Sequence, residues 1–226
     1  AAVAWRAGGA RLALFAALAL GAILLAGLWE RAMLSLYLVG AAVAACAVLG
    51  GALGLLAALS GTAWRMLRPV CDTLQTIPLF VFLIPVLMVF QIGEFTAFLA
   101  IIAYAVVPMI RYTRHGLVST PPELVEAATA CGATRWRTLV ELRAPYAAPA
   151  IMLGLNQTIL YAFAMLVIAA LVGTTGLGQA IYIALGRADV GLGVTAGAAM
   201  ALLALIADRT AQGFAAAMRE RVGLGG

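Results

Sequence analysis

The stretch EAATACGATRWRTLVELRAP, residues 126–145, is polar, whereas the chain on either side of it consists of long apolar runs. Of the 226 residues, 65% are hydrophobic and only 10% are charged. A soluble domain contains about 25% charged residues, so this composition does not suit a water-soluble fold. It predicts a bundle of membrane-spanning helices in which residues 126–145 form a polar loop outside the lipid.

Six apolar segments are long enough, or nearly so, to cross a bilayer, which takes about 20 residues per helix. They are residues 12–29, 32–59, 77–92, 95–110, 147–172 and 191–207. The predicted fold is therefore an all-α polytopic membrane protein with about six transmembrane helices. Pro78 and Pro85 interrupt the third segment, and Pro108 is predicted to end the fourth, because proline removes a helical hydrogen bond. Helices broken in this way usually line the inside of a bundle or a pathway.

Glycines predict where these helices approach one another closely. Gly50, Gly51 and Gly54 lie in the second segment, and Gly193 and Gly197 form a small-xxx-small spacing in the last. Such residues allow close packing either within one subunit or between two subunits, and the sequence leaves both open.

The orientation in the membrane follows from the arginines, which account for all 14 basic residues. If the N-terminus is cytoplasmic, only Arg31 and Arg187 fall in the outer segments. Because cytoplasmic loops attract arginine, both termini and the polar loop are predicted to be cytoplasmic. The net charge of +5 is therefore interpreted as membrane topology and contact with lipid, not as binding of nucleic acid.

The polar loop is predicted to form two short helices joined by a glycine turn. The run TPPE at residues 120–123 matches a capping box, with Thr120 as N-cap and a proline at the first helical position. Gly132 is predicted to end this helix, and Thr134 to cap a second one that Pro145 ends. Helices this short are marginally stable alone. They pack either on the chain's own helix ends or in a groove of a cytoplasmic partner.

The same loop resembles the EAA loop of ABC importer permeases. That pattern is Glu-Ala-Ala, three residues, Gly, nine residues, an aliphatic residue, one residue, and then usually Leu-Pro. Its spacing is complete here, although Ala144 stands where Leu is usual. In that family the loop is the coupling helix, which sits in a cleft of the ATP-hydrolysing subunit. The resemblance implies an ATPase-coupling role for Glu126, Ala127, Ala128, Gly132, Leu142 and Pro145.

Further stretches are similar to the permeases of glycine betaine, proline betaine and choline importers, namely residues 71–93, 154–179 and 186–193. The resemblance runs from about residue 29 to residue 212 and implies three parts. These are an N-terminal transmembrane helix (1–28), an importer transmembrane domain (29–212, with the EAA loop at 120–145), and a cytoplasmic tail (213–226).

The resemblance implies the type I ABC importer fold and a place in the bacterial inner membrane. A second permease subunit, forming a homodimer, completes one translocation path, and two ABC ATPase subunits bind the coupling helices. An extracytoplasmic binding protein delivers a quaternary amine osmolyte. ATP and Mg are expected in the ATPase subunits, since this chain contains no Lys and therefore no standard Walker A motif. Neither a catalytic nor a metal-binding residue is predicted in it.

Two alternatives remain open at this stage. The first keeps the importer and changes its cargo to methionine, phosphonate or another betaine. The second is a transporter or channel that runs without ATP, which would normally carry paired charges in mid-membrane for ion coupling. The acidic residues Asp72, Asp189 and Asp208 all fall near predicted helix ends, which favours the importer.

Polar and aromatic side chains within the membrane segments are the candidates for the translocation path. Polar groups at that depth either line a water-filled path or join helices by hydrogen bonds. A quaternary ammonium is commonly held against aromatic faces. The candidates are Gln75, Thr76, Asn156, Gln157, Thr158, Tyr161 and Phe163.

Overall fold

The computed structural model describes the backbone of residues 2–221, and their side chains except at 2–4, 6–8, 79, 82 and 217–221. All regular secondary structure in this range is helical. The elements are α1 (Ala2–Leu25), α2 (Trp29–Leu59), α3 (Gly61–Thr76), α4 (Leu79–Phe90), α5 (Glu94–Val118), α6 (Pro122–Ala130), α7 (Arg135–Arg137), a π-helical segment (Thr138–Arg143), α8 (Ala144–Ala169), a 3₁₀ turn (Ala170–Val172), α9 (Leu177–Arg187) and α10 (Val190–Arg221).

Among the described residues, four helical segments are long and apolar enough to cross a bilayer. They are Trp29–Leu59, Glu94–Val118, Arg135–Val172 and Val190–Ala216. A shorter apolar helix, Gly9–Leu25, forms most of α1. The predicted all-α polytopic fold is confirmed. Residues 213–221, which were predicted to belong to the tail, continue α10, and residues 222–226 lie outside the described range.

The segment predicted as the third span is divided between two helices. α4 has 12 residues, which at 1.5 Å per residue is about 18 Å and less than a bilayer core. α3 precedes it and lies against α5, where Asp72 pairs with Arg111 and the Arg114 guanidinium sits 4.2 Å from the ring centroid of Trp64. Ile77 separates the two helices in an extended conformation, because Pro78 disfavours a helical residue before it.

The prediction that Pro108 ends a helix is wrong, because α5 continues for ten residues beyond it to Val118. Pro108 is buried in the middle of the bundle. Neighbouring helices pack around this point, and such packing makes proline tolerable inside a membrane helix.

The centre of the bundle is α5, which packs most extensively against α8 and α2, while α1 and α10 pack together beside them. Glycines permit the close approach of these helices. A Cβ atom on Gly54 would lie 2.7 Å from the carbonyl oxygen of Ile110, and one on Gly154 would lie 2.7 Å from the Cβ of Tyr112. The predicted role of α2 glycines in close packing is confirmed within this chain. By contrast, a Cβ on Gly197 would meet nothing within 4 Å.

The bundle has two distinct ends. At one of them, called the far end here, the Gly93 N–H donates to the Val172 carbonyl at 2.9 Å, and Thr175 Oγ1 donates to Glu94 Oε1 at 2.6 Å. The N–H of Leu177 donates to the buried Ser35 Oγ at 2.9 Å at the same end. The opposite end, called the loop end, carries α6 together with the last turns of α2 and α5.

Candidate functional site

The helix α6 stands at the loop end and has no buried side chain. It begins at Pro122, with Pro121 as N-cap. Thr120 instead donates its hydroxyl to the Leu117 carbonyl at 3.4 Å and so terminates α5. The predicted capping box is therefore wrong, because a free C-terminal carbonyl of the preceding helix competes for the same hydroxyl.

Gly132 forms the turn after α6, as predicted. Its φ of 81° lies in the left-handed region, where glycine is favoured. Its N–H donates to Thr129 O at 2.9 Å, and the N–H of Ala133 donates to Ala128 O at 3.0 Å. These two bonds are the Schellman arrangement, which ends a helix and reverses the chain.

The second half of the loop differs from the prediction. Thr134 caps α7 as expected, since its hydroxyl accepts from the Arg137 N–H at 3.3 Å. Pro145, however, does not end the second helix as predicted, because the chain passes from α7 through the π-helical segment directly into α8. Pro145 is the second residue of α8 and directly follows the π-helical segment, and such a local π adjustment makes proline tolerable inside a helix. The loop is thus one short helix, a glycine elbow and the start of a long membrane helix.

The positions of the EAA pattern differ in exposure. Glu126, Ala127, Gly132 and Pro145 are exposed, whereas Ala128 and Leu142 are half-buried. The elbow also presents apolar side chains that the sequence reasoning did not single out. These are Leu124, Trp136 and Val140, of which Trp136 is 70% exposed. A tryptophan inside an otherwise polar loop was the signal that could have identified this surface.

Charge around the elbow is mixed. Arg137 donates from Nε to Glu141 Oε2 at 2.9 Å, one helical turn apart. Both side chains are more than 60% exposed, so the pair stabilises the fold by about 0.5 kcal/mol at most. Glu126 and Arg135 are exposed near it, and neither has an ion-pair partner among the described residues. The elbow therefore offers apolar contacts together with charges of both signs.

The first pair of path candidates lies beside the break between α3 and α4. Gln75 and Thr76 are exposed, and Thr76 turns its hydroxyl back to the Thr73 carbonyl at 3.2 Å. The α4 residues that follow expose large apolar side chains, including Phe80 and Ile84. The polar residues Gln75 and Thr76 therefore adjoin exposed apolar side chains of α4.

The candidates on α8 lie deeper, and the structure separates them from Gln75 and Thr76. Thr158 and Phe163 are buried, while Gln157 is half-buried. Asn156 is 6% exposed and lines a cavity of about 320 Å³ between α8 and α10. Its Oδ1 has no hydrogen-bond partner among the described residues. Tyr161 is half-buried and meets Tyr104 of α5 edge to face, with ring centroids 5.1 Å apart.

Residues 50–220 match the family model described as binding-protein-dependent transport system inner membrane component. Over 219 residues the chain is 38% identical to the glycine betaine/proline betaine transport system permease protein ProW of Escherichia coli, covering 97% of this chain and 62% of that protein. It is also 38% identical to the trimethylamine N-oxide transport system permease protein TmoV of Ruegeria pomeroyi, covering 96% of this chain and 33% of that protein. The chain thus spans less than two thirds of the length of these relatives.

Among solved structures, the chain is similar to one from the inward-facing MetNI methionine ABC transporter. The TM-score is 0.74 at 20% sequence identity, and the match covers 84% of this chain and 95% of that one. At this identity the match concerns the fold alone. It agrees with the type I ABC importer fold expected from the EAA loop.

Proposed function

Because the chain belongs to the family of binding-protein-dependent transport system inner membrane components, we propose that it is the permease subunit of an ABC importer. Its proposed cargo is a quaternary amine osmolyte of the glycine betaine, proline betaine or choline type. The chain forms part of the translocation path and transmits the state of the ATPase subunits to it. The proposal includes a cytoplasmic location for the loop end and for both termini.

The observation that carries this proposal is the exposed elbow formed by α6 and Gly132. A nine-residue helix with no buried side chain is not held in place by its own apolar contacts. The chain turns at residues 131–134 and then runs through α7 and the π-helical segment into the helix that spans Arg135–Val172. A force applied to α6 by a partner therefore reaches this membrane helix through a turn of only four residues.

We propose that an ABC ATPase subunit receives the elbow in a cleft. Glu126, Ala127 and Gly132 are exposed for contact, and Trp136 adds a large apolar side chain. Ala128, Leu142 and Pro145 set the angle between α6 and α8. ATP and Mg are bound by that partner, which closes on ATP and resets on hydrolysis.

We propose that the path runs along the face that carries the α3–α4 break, where a second copy of the chain faces the first. Gln75 and Thr76 are polar and exposed on this face. Tyr161, which is half-buried, packs edge to face against Tyr104. Two such faces could enclose a cation between polar and aromatic groups. Asn156, Gln157, Thr158 and Phe163 belong to α8, as Tyr161 does, and the proposal gives them a supporting role.

The test is ATP hydrolysis by the complex reconstituted in lipid with its ATPase and binding proteins, with glycine betaine, proline betaine or choline added in turn. We expect hydrolysis to rise when the correct amine is present. Gly132→Pro should abolish this stimulation, because proline is fixed near φ −65° and cannot adopt the φ of 81° found here.

The matched control is Gly27→Pro. Gly27 has a φ of 70° and forms the same pair of bonds at the end of α1, from Gly27 N–H to Leu24 O at 3.0 Å and from Leu28 N–H to Ile23 O at 3.2 Å. It lies in the far-end turn, away from the elbow. Equal loss of stimulation in both variants would show that the turn at Gly132 matters for folding and not for coupling to the ATPase. Failure of the chain to associate with any ATPase would refute the proposed importer.

A second cargo class has support from the similarity to TmoV, whose name gives trimethylamine N-oxide as its cargo. Trimethylamine N-oxide shares a trimethylated nitrogen with glycine betaine and carries its negative charge on oxygen. Adding trimethylamine N-oxide to the same hydrolysis assay distinguishes the two proposed cargo classes. Stimulation by trimethylamine N-oxide but by no betaine would retain the importer and replace the proposed cargo.

A further inference from the structure

A cavity of about 560 Å³ opens at the loop end, between the last turn of α2 and the hairpin that α6 forms with the start of α8. Leu59 lines it from α2, and Thr129 lines it from α6. Arg135 and Arg143 line it from the other arm of the hairpin. This cavity, called the arginine cavity below, is not lined by Glu126, Ala127, Gly132 or Trp136, which are proposed to meet the ATPase.

The arginine cavity has a basic lining. Among the described residues, Arg135 and Arg143 line it and no acidic residue does. Neither Arg135 nor Arg143 forms an ion pair with any described residue, whereas Arg137, between them in sequence, pairs with Glu141. The Nε of Arg143 is buried and has no hydrogen-bond acceptor within the part of the chain that the structure describes. A buried donor on a charged group normally has an acceptor, so its acceptor is expected to come from outside the chain.

The π-helical segment explains why two arginines eight residues apart reach the same cavity. In an α-helix, eight residues at 3.6 per turn would place them about 80° apart around the axis. The i→i+5 bonding of Thr138–Arg143 widens the turn and reduces this angle. Segments of this kind occur frequently at functional sites.

The depth of the arginine cavity matches the headgroup layer of a bilayer. α2 has 31 residues, which gives a length of about 46 Å at 1.5 Å per residue. A bilayer with its headgroups is about 40–45 Å thick, so α2 is long enough to reach from one surface to the other. Trp29 stands at one end, as is usual for an interfacial aromatic residue, and Leu59 at the cavity stands at the other.

We propose that the arginine cavity binds a phosphate-bearing anion, held by the guanidinium groups of Arg143 and Arg135 with the hydroxyls of the cavity wall around it. The anion is the headgroup phosphate of an acidic phospholipid or free inorganic phosphate, since both present the same oxygens to arginine. Once bound, it connects the α6–α8 hairpin to the end of α2. The inference needs only a position in the membrane and does not depend on transport.

The lipid arm of the test uses native mass spectrometry of the full chain, released from detergent that contains equal amounts of phosphatidylglycerol and phosphatidylcholine. We expect phosphatidylglycerol to be retained preferentially. In Arg143→Gln this preference should fall by about tenfold, as for the loss of one charge-assisted contact. Arg135→Gln should lower the preference for phosphatidylglycerol as well. This second variant shows whether the effect of Arg143→Gln comes only from a folding defect at that position.

The matched control is Arg137→Gln, which removes the same charge from the same hairpin but not from the cavity. Its lipid preference should equal that of the unchanged chain. The phosphate arm compares thermal unfolding in millimolar inorganic phosphate and in chloride at equal ionic strength. Stabilisation by phosphate that Arg143→Gln removes, without any lipid preference, would identify free phosphate as the source.

Two results would overturn the proposal. One is the same lipid preference in all three variants together with no response to phosphate. The other is loss of preference in Arg137→Gln as well, since this would show general attraction of the charged hairpin to anionic lipid. Neither result depends on ATP hydrolysis, so failure here and failure of the proposed importer are distinguishable.

Discussion

Single residues at the elbow can be tested by their chemistry. Cys131 is exposed next to Gly132, whereas Cys46 and Cys71 are buried, with 0% and 1% of their surfaces exposed. A thiol reagent therefore distinguishes one cysteine of the three without any engineering. This cysteine lies on the surface that we propose contacts the ATPase.

We predict that a maleimide labels Cys131 in the folded chain, and all three cysteines only after denaturation. Association with the ATPase subunit should lower the rate of labelling at Cys131 about tenfold or more, because a helix seated in a cleft is shielded from solvent. Mass spectrometry of the labelled peptides measures both effects. A Cys131 that reacts equally fast with and without the bound ATPase would place the contact elsewhere.

A second residue holds the far end together. Ser35 is 1% exposed, and its hydroxyl accepts the N–H of Leu177 at the start of α9. Ser35→Ala should lower the free energy of unfolding by about 1–2 kcal/mol, because it leaves a buried donor unpaired. Ser119→Ala serves as the control, since Ser119 is exposed and its hydroxyl donates to the Gly116 carbonyl at 3.0 Å. Thermal unfolding in detergent should show the larger decrease for Ser35→Ala.

At the scale of elements, the contact between α2 and α5 depends on the absence of side chains. We predict that Gly54→Ala destabilises the chain by about 1–3 kcal/mol, because its Cβ would lie 2.7 Å from a backbone oxygen that cannot move freely. Gly51→Ala lies one helical turn away, and its Cβ would be 3.9 Å from the nearest atom, Met109 Cε. Unfolding in detergent should therefore show little change for Gly51→Ala. Equal destabilisation of the two variants would indicate a general effect of alanine on α2.

The elements also show how far the sequence determines the structure. Apolar length predicted the helices, and glycine chemistry predicted the turn at Gly132 and the close packing of α2. Proline misled the prediction at Pro108 and Pro145. The cost of proline depends on whether neighbouring helices or a local π-helical segment compensate for the lost bond, and local sequence does not contain that information. Thr120 failed as a cap for the same reason, since its partner belongs to the preceding helix.

The candidate site was likewise predicted only in part from the sequence. The spacing of Glu126, Gly132 and Pro145 identified the elbow, because its family pattern is local in sequence. The π-helical register, the arginine cavity and the pairing of Tyr161 with Tyr104 were not predictable, since each depends on contacts between distant parts of the chain. Trp136 was visible in the sequence, but only the structure shows that it is exposed.

For the whole molecule, the structure places the end of α2, the elbow and the C-terminal part of α10 away from the far-end loops. The arginine distribution predicts that the loop end is cytoplasmic. We predict that a membrane-impermeant maleimide labels Cys131 in inside-out vesicles and not in intact spheroplasts. A cysteine introduced as Ala188→Cys, at an exposed far-end position, should give the opposite pattern. Labelling of Cys131 in intact spheroplasts would show that the orientation in the membrane is the reverse of the predicted one.

The break at Ile77 and Pro78 has a consequence for biogenesis. A 12-residue helix is too short to be recognised alone as a membrane segment during synthesis, although α4 is entirely apolar. The three residues from Gln91 to Gly93 join it tightly to α5. The two helices are therefore expected to enter the lipid as one hairpin, so that α4 inserts only once α5 has been made. The break at Pro78 and the short turn at 91–93 both set this requirement, since together they limit α4 to 12 residues.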